Sequence, residues 1–425
     1  MARQSTPSPF RPGYGSRPLV LAGREELQDD VDDAITLIAE ERRAPNALII
    51  VGARGVGKSV MLDEVARRAQ EQHGWARIHV QKDEASTLDE RLIIETQNAH
   101  ALLEQSSDER TRKMRMEELS LKGGLPFGGL ELSATFRRSA PDTMAANPAI
   151  ESTERLRALA DLAVAMDTAV VITIDEAQDA TKQEFGSFGT FGQEITRHDL
   201  PFLVAIAGLP SLDNKRLSTY FVRAERHEIG SLTREEARRA LTEPAEQAGR
   251  LFDVDAAEVM LDQIGGYPFA VQIYGREAWR QSQGASTISL DAVRSALPAA
   301  ARRLDRTVHR DHWAQASRAE REYLVAVADL ARDRAPFTGG DVAQRVGKPV
   351  TSLSEIRARL LAMGALTYDG RQLAFATPGM GAYILRQVAH EDEPSLRPDP
   401  SGPLSEQPEH LRRRSPNPAD GELGR

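Results

Sequence analysis

An eight-residue run, GARGVGKS at 52–59, limits what this chain can be more than any other feature. It fits the spacing G-x-x-x-x-G-K-[ST], follows the apolar run ALIIV at 47–51, and opens a stretch of helical spacing at 58–73. Strand, glycine loop and helix in that order make an anion site. Gly52 and Gly57 allow the backbone to wrap so that its N–H groups point inward, and the helix directs its positive end at the same place. The expected phosphate cradle is Gly52, Ala53, Arg54, Gly55, Val56, Gly57, Lys58, Ser59 and Val60. Within it the Lys58 ammonium can reach the outer phosphates, and the Ser59 hydroxyl can ligate Mg²⁺.

A second apolar run, VVITIDE at 170–176, ends in two acids. Downstream of a phosphate loop, Asp175 is the candidate to hold Mg²⁺ through its water shell, and Glu176 to orient and deprotonate an attacking water. Gln178 and Asp179 follow, and a solvated helix start explains them equally well.

Residues 19–232 alternate β-branched runs with helical stretches, the pattern of a parallel sheet covered by helices. Strands are expected at 47–51, 76–80, 169–174, 202–207 and 226–229, and helices at 25–43, 58–73, 87–105, 150–167 and 211–223. Residues 119–137 read as a glycine-rich hairpin inserted into this unit. Residues 233–300 read as helices alone, opened by the Thr233…Glu236 capping box. Residues 305–390 read as three helices and two short strands joined at Asp369-Gly370, the order of a winged helix-turn-helix. The termini, 1–18 and 391–425, are rich in Pro, Ser and charge, and a disordered arm and tail are expected there. His309 and His312 form an isolated HxxH, read as helix surface and not as a metal site.

These residues carry a resemblance. LAGREE at 21–26, GARGVGKS, VVITIDEAQ, AIAGLP at 205–210, TYFVRAERHEI at 219–229 and GGYPFAVQ at 265–272 resemble AAA+ ATPases of the origin-recognition-like and STAND-related group with a C-terminal winged helix. The resemblance implies an α/β fold, a parallel five-stranded P-loop core with a helical lid and then a winged helix, with ATP and Mg²⁺ as ligands. It also implies that Gly23 and Arg24 lie beside the adenine and that Gly266 and Pro268 of the lid close over the nucleotide. A finger arginine is expected before the fifth strand, where Arg223 is favoured over Arg226 and would act on a neighbouring copy, implying self-association. The chain departs from the family twice. Ala207-Gly208-Leu209 stands where a polar sensor is usual, and Gly-Tyr-Pro where a lid sensor arginine is usual, with Arg276 a distant substitute. Both departures imply slow turnover and ATP used as a switch.

Composition bounds the partners. Net charge is −9, too acidic for a protein coated in nucleic acid, yet 305–390 hold 12 basic and nine acidic side chains. Residues 345–372, with Lys348, Arg357, Arg359 and Arg371, are the candidate surface for double-stranded DNA. No cysteine is present, no secretory leader is legible, and Asp161 and Asp167 interrupt the most apolar stretch, so a cytoplasmic protein without a membrane span is expected. Two alternatives stand beside the DNA-coupled switch. One is a STAND-like signalling ATPase whose winged helix binds protein; the other is a scaffold that binds ATP without hydrolysing it.

Overall fold

The computed structural model describes residues 7–13, 15–83, 85–121, 147–212, 217–332, 336–369 and 371–392. Most of the expected 119–137 hairpin, the tail beyond 392 and Gly370 of the expected turn lie outside the described residues.

The core runs α1 (Glu25–Ala39), β1 (Leu48–Val51), α2 (Lys58–His73), β2 (Ala76–Gln81), α3 (Leu88–Leu121), α4 (Pro148–Ala165), β3 (Val170–Asp175), α5 (Lys182–His198), β4 (Phe202–Gly208) and β5 (Glu225–Glu228). The five strands are parallel in the order β2-β3-β4-β1-β5. Parallel strands buried on both faces need no polar alternation, which is why β1, β3 and β4 read as continuous apolar runs. The strand period of two still sorts the side chains. Leu48, Ile50, Val171, Leu203 and Ala205 pack against α1 and α2, while Ile49, Val51, Ile172, Ile174 and Ile206 pack against α3, α4 and α5. With β1 inside the sheet, the loops leaving β1 and β3 open at the same end, where ligands of such sheets bind.

Two expectations for the core fail. Residues 211–223 are not an α-helix; the described part is irregular at 217–218 and forms a 3₁₀ turn at Thr219–Arg223. Conversely α5 was not expected, because KQEFGSFGTFGQEITRH carries three glycines, poor helix formers. Packing selects two of them. A Cβ on Gly189 would lie 2.0 Å from Ser218 Oγ, and one on Gly192 2.4 Å from the Tyr220 ring.

The lid consists of α6 (Arg234–Gln247), α7 (Val254–Ile264), α8 (Pro268–Gln281) and α9 (Leu290–Leu304), with the short strands β6 (Leu251–Phe252) and β7 (Thr287–Ile288) paired between them. The Thr233–Glu236 capping box forms as expected. After a π-turn at Asp305–His309 come α10 (Arg310–Gln315), α11 (Arg318–Arg332), α12 (Gly339–Val346) and α13 (Ser354–Ala362). The antiparallel pair β8 (Leu366–Asp369) and β9 (Gln372–Phe375) and then α14 (Met380–Asp392) complete the described chain. No helix among the described residues is long and apolar enough to cross a membrane.

The expected 1–18 arm is corrected in its described part. Phe10 is 2% exposed and belongs to the lid core. Its ring fills the space a side chain at residue 275 would need, 2.6 Å from a Cβ built on Gly275. The Arg11 N–H donates to Gln272 Oε1 at 2.9 Å. Farther on, Arg17 donates to Glu64 Oε2 on α2 at 2.8 Å. Burial raises the Glu64 pKa, but hydrogen bonds from Arg67, Arg17 and Arg68 overrule it and hold the carboxyl down at about 2. A polar composition hid one aromatic anchor and one cation with a buried partner. The Phe10→Ala protein should therefore lose stability by about 3 kcal/mol, the usual loss for an emptied aromatic site, seen as a lower melting temperature. An unchanged melting curve would mean the segment is not anchored.

Candidate nucleotide site

The loop between β1 and α2 is held from several sides. The Gly52 N–H donates to Gly208 O at 3.2 Å, which ties the loop to the end of β4. A side chain at Gly52 would meet Ile229 O at 2.2 Å, so glycine is required there by the backbone of the chain leaving β5. Gly57 has φ +104°, a left-handed conformation from which α2 starts. Arg24 donates to Val56 O at 3.1 Å and to Gly230 O at 2.7 Å, clamping the loop to the segment after β5. Gly23 beside it, at φ +68°, has no room for a side chain next to the Glu236 carboxylate.

The charges expected to act together do converge. Lys58 is buried and donates to Ala53 O at 2.9 Å, within its own loop. Burial lowers its pKa, opposed by Glu176 and Asp175. Ser59 Oγ donates to Asp175 Oδ2 at 2.5 Å. Burial pushes the Asp175 carboxyl up, while the Ser59 hydroxyl and the Glu176 N–H oppose the rise. A buried carboxylate facing a hydroxyl, one strand from a buried ammonium, fits a divalent cation held against an anionic ligand.

Glu176 follows in the left-handed region, φ +51°, an uncommon conformation for a residue with a side chain. Two bonds hold it there. Its N–H donates to Asp175 Oδ1 at 2.8 Å, and its Oε2 accepts from Gln178 Nε2 at 2.7 Å. The Gln178 Oε1 in turn accepts from Leu209 N–H at 3.0 Å. Gln178 thus occupies the end of β4, where the sequence shows no polar side chain at 207–209. A Cβ on Gly208 would approach Gln178 Oε1 to 3.1 Å, so the small residue and the amide belong together. Sequence reading gave Gln178 no role.

The lid and the C-terminal module also reach the loop. Tyr267 Oη donates to Arg54 O at 3.0 Å and fills the space a side chain at Gly55 would take. Gly266, at φ +73°, lies against Leu232, and Pro268 begins α8. Gly364, at φ +70° after α13, lies against the loop. A Cβ there would sit 3.2 Å from both Ala53 Cβ and Arg54 N. Neither Tyr267 nor Gly364 was singled out in the sequence. A Gly-Tyr-Pro read for its flexible and rigid ends hides a tyrosine that works as a strut.

Other expectations lie apart. Arg276 lines a hollow with Ser8, Phe10, Arg11, Pro12, Gly13 and Ser16, a setting made by the N-terminal segment. Arg223 faces solvent at the end of the 3₁₀ turn, and Arg226 donates to Leu212 O at 3.0 Å. The HxxH pair is not surface: His309 and His312 are both buried. His309 Nδ1 lies 2.8 Å from Asp305 Oδ1. Burial, with Arg54 adding to it, pushes His312 down to about 4.

Residues 20–206 match the family model described as AAA ATPase domain. The core is an AAA ATPase domain. Residues 306–384 match a domain of unknown function, DUF8462. Among solved structures, the Walker-type ATPase PABY2304 of Pyrococcus abyssi is similar at 16% identity and a TM-score of 0.55, over 87% of this chain and 97% of that one. Cdc6p from Pyrobaculum aerophilum is similar at 13% identity and a TM-score of 0.46, over 89% and 97%. ORC1 of Aeropyrum pernix, solved in complex with DNA, is similar at 16% identity and a TM-score of 0.40, over 88% and 95%. No curated protein sequence matches. The first of these likenesses supports the AAA+ P-loop fold of the core.

Two outcomes follow from this geometry. Gln178→Leu, similar in size but without hydrogen bonds, should lower ATP turnover roughly 10- to 100-fold and leave ATP affinity almost unchanged. Unchanged turnover would remove Gln178 from the site. His312 is neutral when folded and protonates near 6.5 when unfolded, so the unfolded chain binds more protons between about pH 6.5 and 4 and stability falls as pH falls through that window. At pH 5 the loss should be about 2 kcal/mol relative to pH 7. His312→Gln should remove that part of the acid-induced drop in melting temperature, and an equal drop in both proteins would refute the assignment.

Proposed function

We propose that the chain binds Mg·ATP between its core and lid, hydrolyses it slowly, and works as a switch whose nucleotide state is read out by the C-terminal module. The observation that carries the readout is the contact of Gly364 with Ala53 and Arg54. Backbone N–H groups that turn toward a phosphate move the surface on which the module rests.

Each residue then has a task. Lys58 leaves Ala53 O for the outer phosphates, and the N–H groups of 52–60 bind the rest. Ser59 and Asp175 hold Mg²⁺, which supplies charge neutralisation to the phosphates when bound. Gly23, Arg24 and Pro268 shape the base end of the cleft. Glu176, aimed by Gln178, accepts a proton from the attacking water. Arg223 points away into solvent and serves the nucleotide of a neighbouring copy, so turnover rises with protein concentration.

Three helices and an antiparallel ribbon follow the winged-helix order, and we assign duplex DNA as the partner of 345–372. The basic excess and the exposed Ser352, Ser354, Arg359 and Arg371 support this reading. Lys348 is paired with Glu322 at 2.7 Å, Arg359 with Glu320 at 3.1 Å, and Arg345 with Asp329. Lys348 and Arg345 are about half exposed, and such pairs near the surface are worth about 0–1 kcal/mol, so phosphates compete for them readily, whereas the Glu320 that Arg359 meets is buried. The same pairs favour a second reading, in which the module binds a protein.

The deciding experiment is steady-state ATP turnover with and without duplex DNA, using Lys58→Ala, Glu176→Gln and Gly364→Glu proteins. Turnover should vanish in the first two. Gly364→Glu should keep turnover but lose its response to DNA. Turnover indifferent to DNA in the unaltered protein would select the protein-binding reading. ATP binding without turnover would select the scaffold.

A further inference from the structure

The sheet edge farthest along the order, β5, carries two residues that the nucleotide site does not use. In the parallel register Glu225 lies beside Leu48 and His227 beside Ile50. Leu48 and Ile50 face α1, so Glu225 and His227 face it as well, whereas Arg226 belongs to the other side and donates to Leu212 O. On α1 the residue that meets them is Asp30. One ligand atom from each of Asp30, Glu225 and His227 lies within 4.8 Å of the others.

The histidine decides what the cluster is. Its side chain is 11% exposed, and Nε2 lies 3.1 Å from Asp30 Oδ2. Nevertheless Nε2 is buried and has no hydrogen-bond partner among the described residues. Nε2 is therefore a buried ligand atom that no hydrogen bond satisfies, within 4.8 Å of a carboxylate oxygen from each acid. An imidazole nitrogen with two carboxylates in reach is a donor set that suits a divalent cation.

We propose that Asp30, Glu225 and His227 form a divalent transition-metal site, with Zn²⁺ as the ion that suits one imidazole and two carboxylates. Zinc holds nitrogen and oxygen ligands at about 2.0–2.2 Å, which puts tetrahedral donors about 3.3 Å apart. Closing the present cluster to that spacing requires rotation of the exposed Glu225 and the half-buried Asp30 around a seated histidine. The fourth position opens to solvent. Bound metal would tie α1 to the edge strand and brace the turn that carries Arg223. The site shares no residue with the nucleotide cleft and does not rest on the reading of that cleft.

The test uses the full chain, stripped with EDTA, dialysed, and titrated with Zn²⁺ by calorimetry without nucleotide or Mg²⁺. One ion should bind in the micromolar range or tighter. His227→Ala and Asp30→Asn should each weaken that event about 10- to 100-fold, whereas Asp175→Asn and Lys58→Ala should leave it intact. Asp30→Asn changes a partly exposed helix residue, so its fold persists if the His227 variant fails. Co²⁺ in the unaltered protein should give visible absorption bands that both variants lack. Equal zinc binding by the unaltered and Asp30→Asn proteins, or no binding by the unaltered chain, would overturn the proposal.

Discussion

An ammonium and a carboxylate buried at the end of a parallel sheet are costly unless something outside the chain meets them. Lys58 and Asp175 stand in that position, each pushed by burial toward its neutral form; the Glu176 and Asp175 carboxylates draw Lys58 back, and the Ser59 hydroxyl, the Glu176 N–H and Lys58 draw Asp175 back. Lys58 donates to Ala53 O, and Asp175 accepts from Ser59 Oγ. In both bonds one partner carries a charge, which makes them stronger than bonds between neutral groups. The strand order, the glycine turns and the close docking of β4 on Gly52 all serve to keep these groups together. The rest of the molecule is arranged around that loop.

The loop is a junction as well as a cradle. Arg24 from the N-terminal side bonds to Val56 O, Tyr267 from the lid to Arg54 O, and Gly364 from the C-terminal module rests on Ala53. Each neighbour excludes a Cβ or occupies a backbone carbonyl, so the loop has little freedom of its own. Rigid contacts of this kind pass on small displacements, because packed surfaces yield in steps and not continuously.

Much of this was legible in the sequence because the signals were local. The phosphate loop, the acidic end of β3, the apolar strands and the Thr233 capping box are short-range patterns that physics requires at fixed spacing. What escaped were features decided by distant partners. The glycines of α5 spoke against a helix, and only Ser218 and Tyr220 across the packing explain them. Phe10 sat in a stretch whose composition predicted mobility, yet one ring in the lid core fixes it. His309 and His312 were read as helix surface because the HxxH is isolated, without an acidic or further His partner nearby, yet both are buried. Gln178 needed knowledge of where Leu209 lies, some thirty residues away in the chain, before it had a role.

The missing polar sensor illustrates how such a gap is filled. Side chains at 207 and 208 are too small to reach a phosphate, but their smallness is what lets the Gln178 amide approach the end of β4. The amide then spans from a β4-end backbone N–H to the Glu176 carboxylate, two groups that a sensor side chain would otherwise address separately. A bridge of this type links the end of β4 to Glu176 through one side chain. Because Glu176 is held in a left-handed conformation, costing on the order of 1 kcal/mol, its release lies within reach of a single lost hydrogen bond. Under the proposed function, a general base so poised is easily switched off, and that property suits the switch proposed above, in which the lifetime of the bound nucleotide matters more than the number of turnovers.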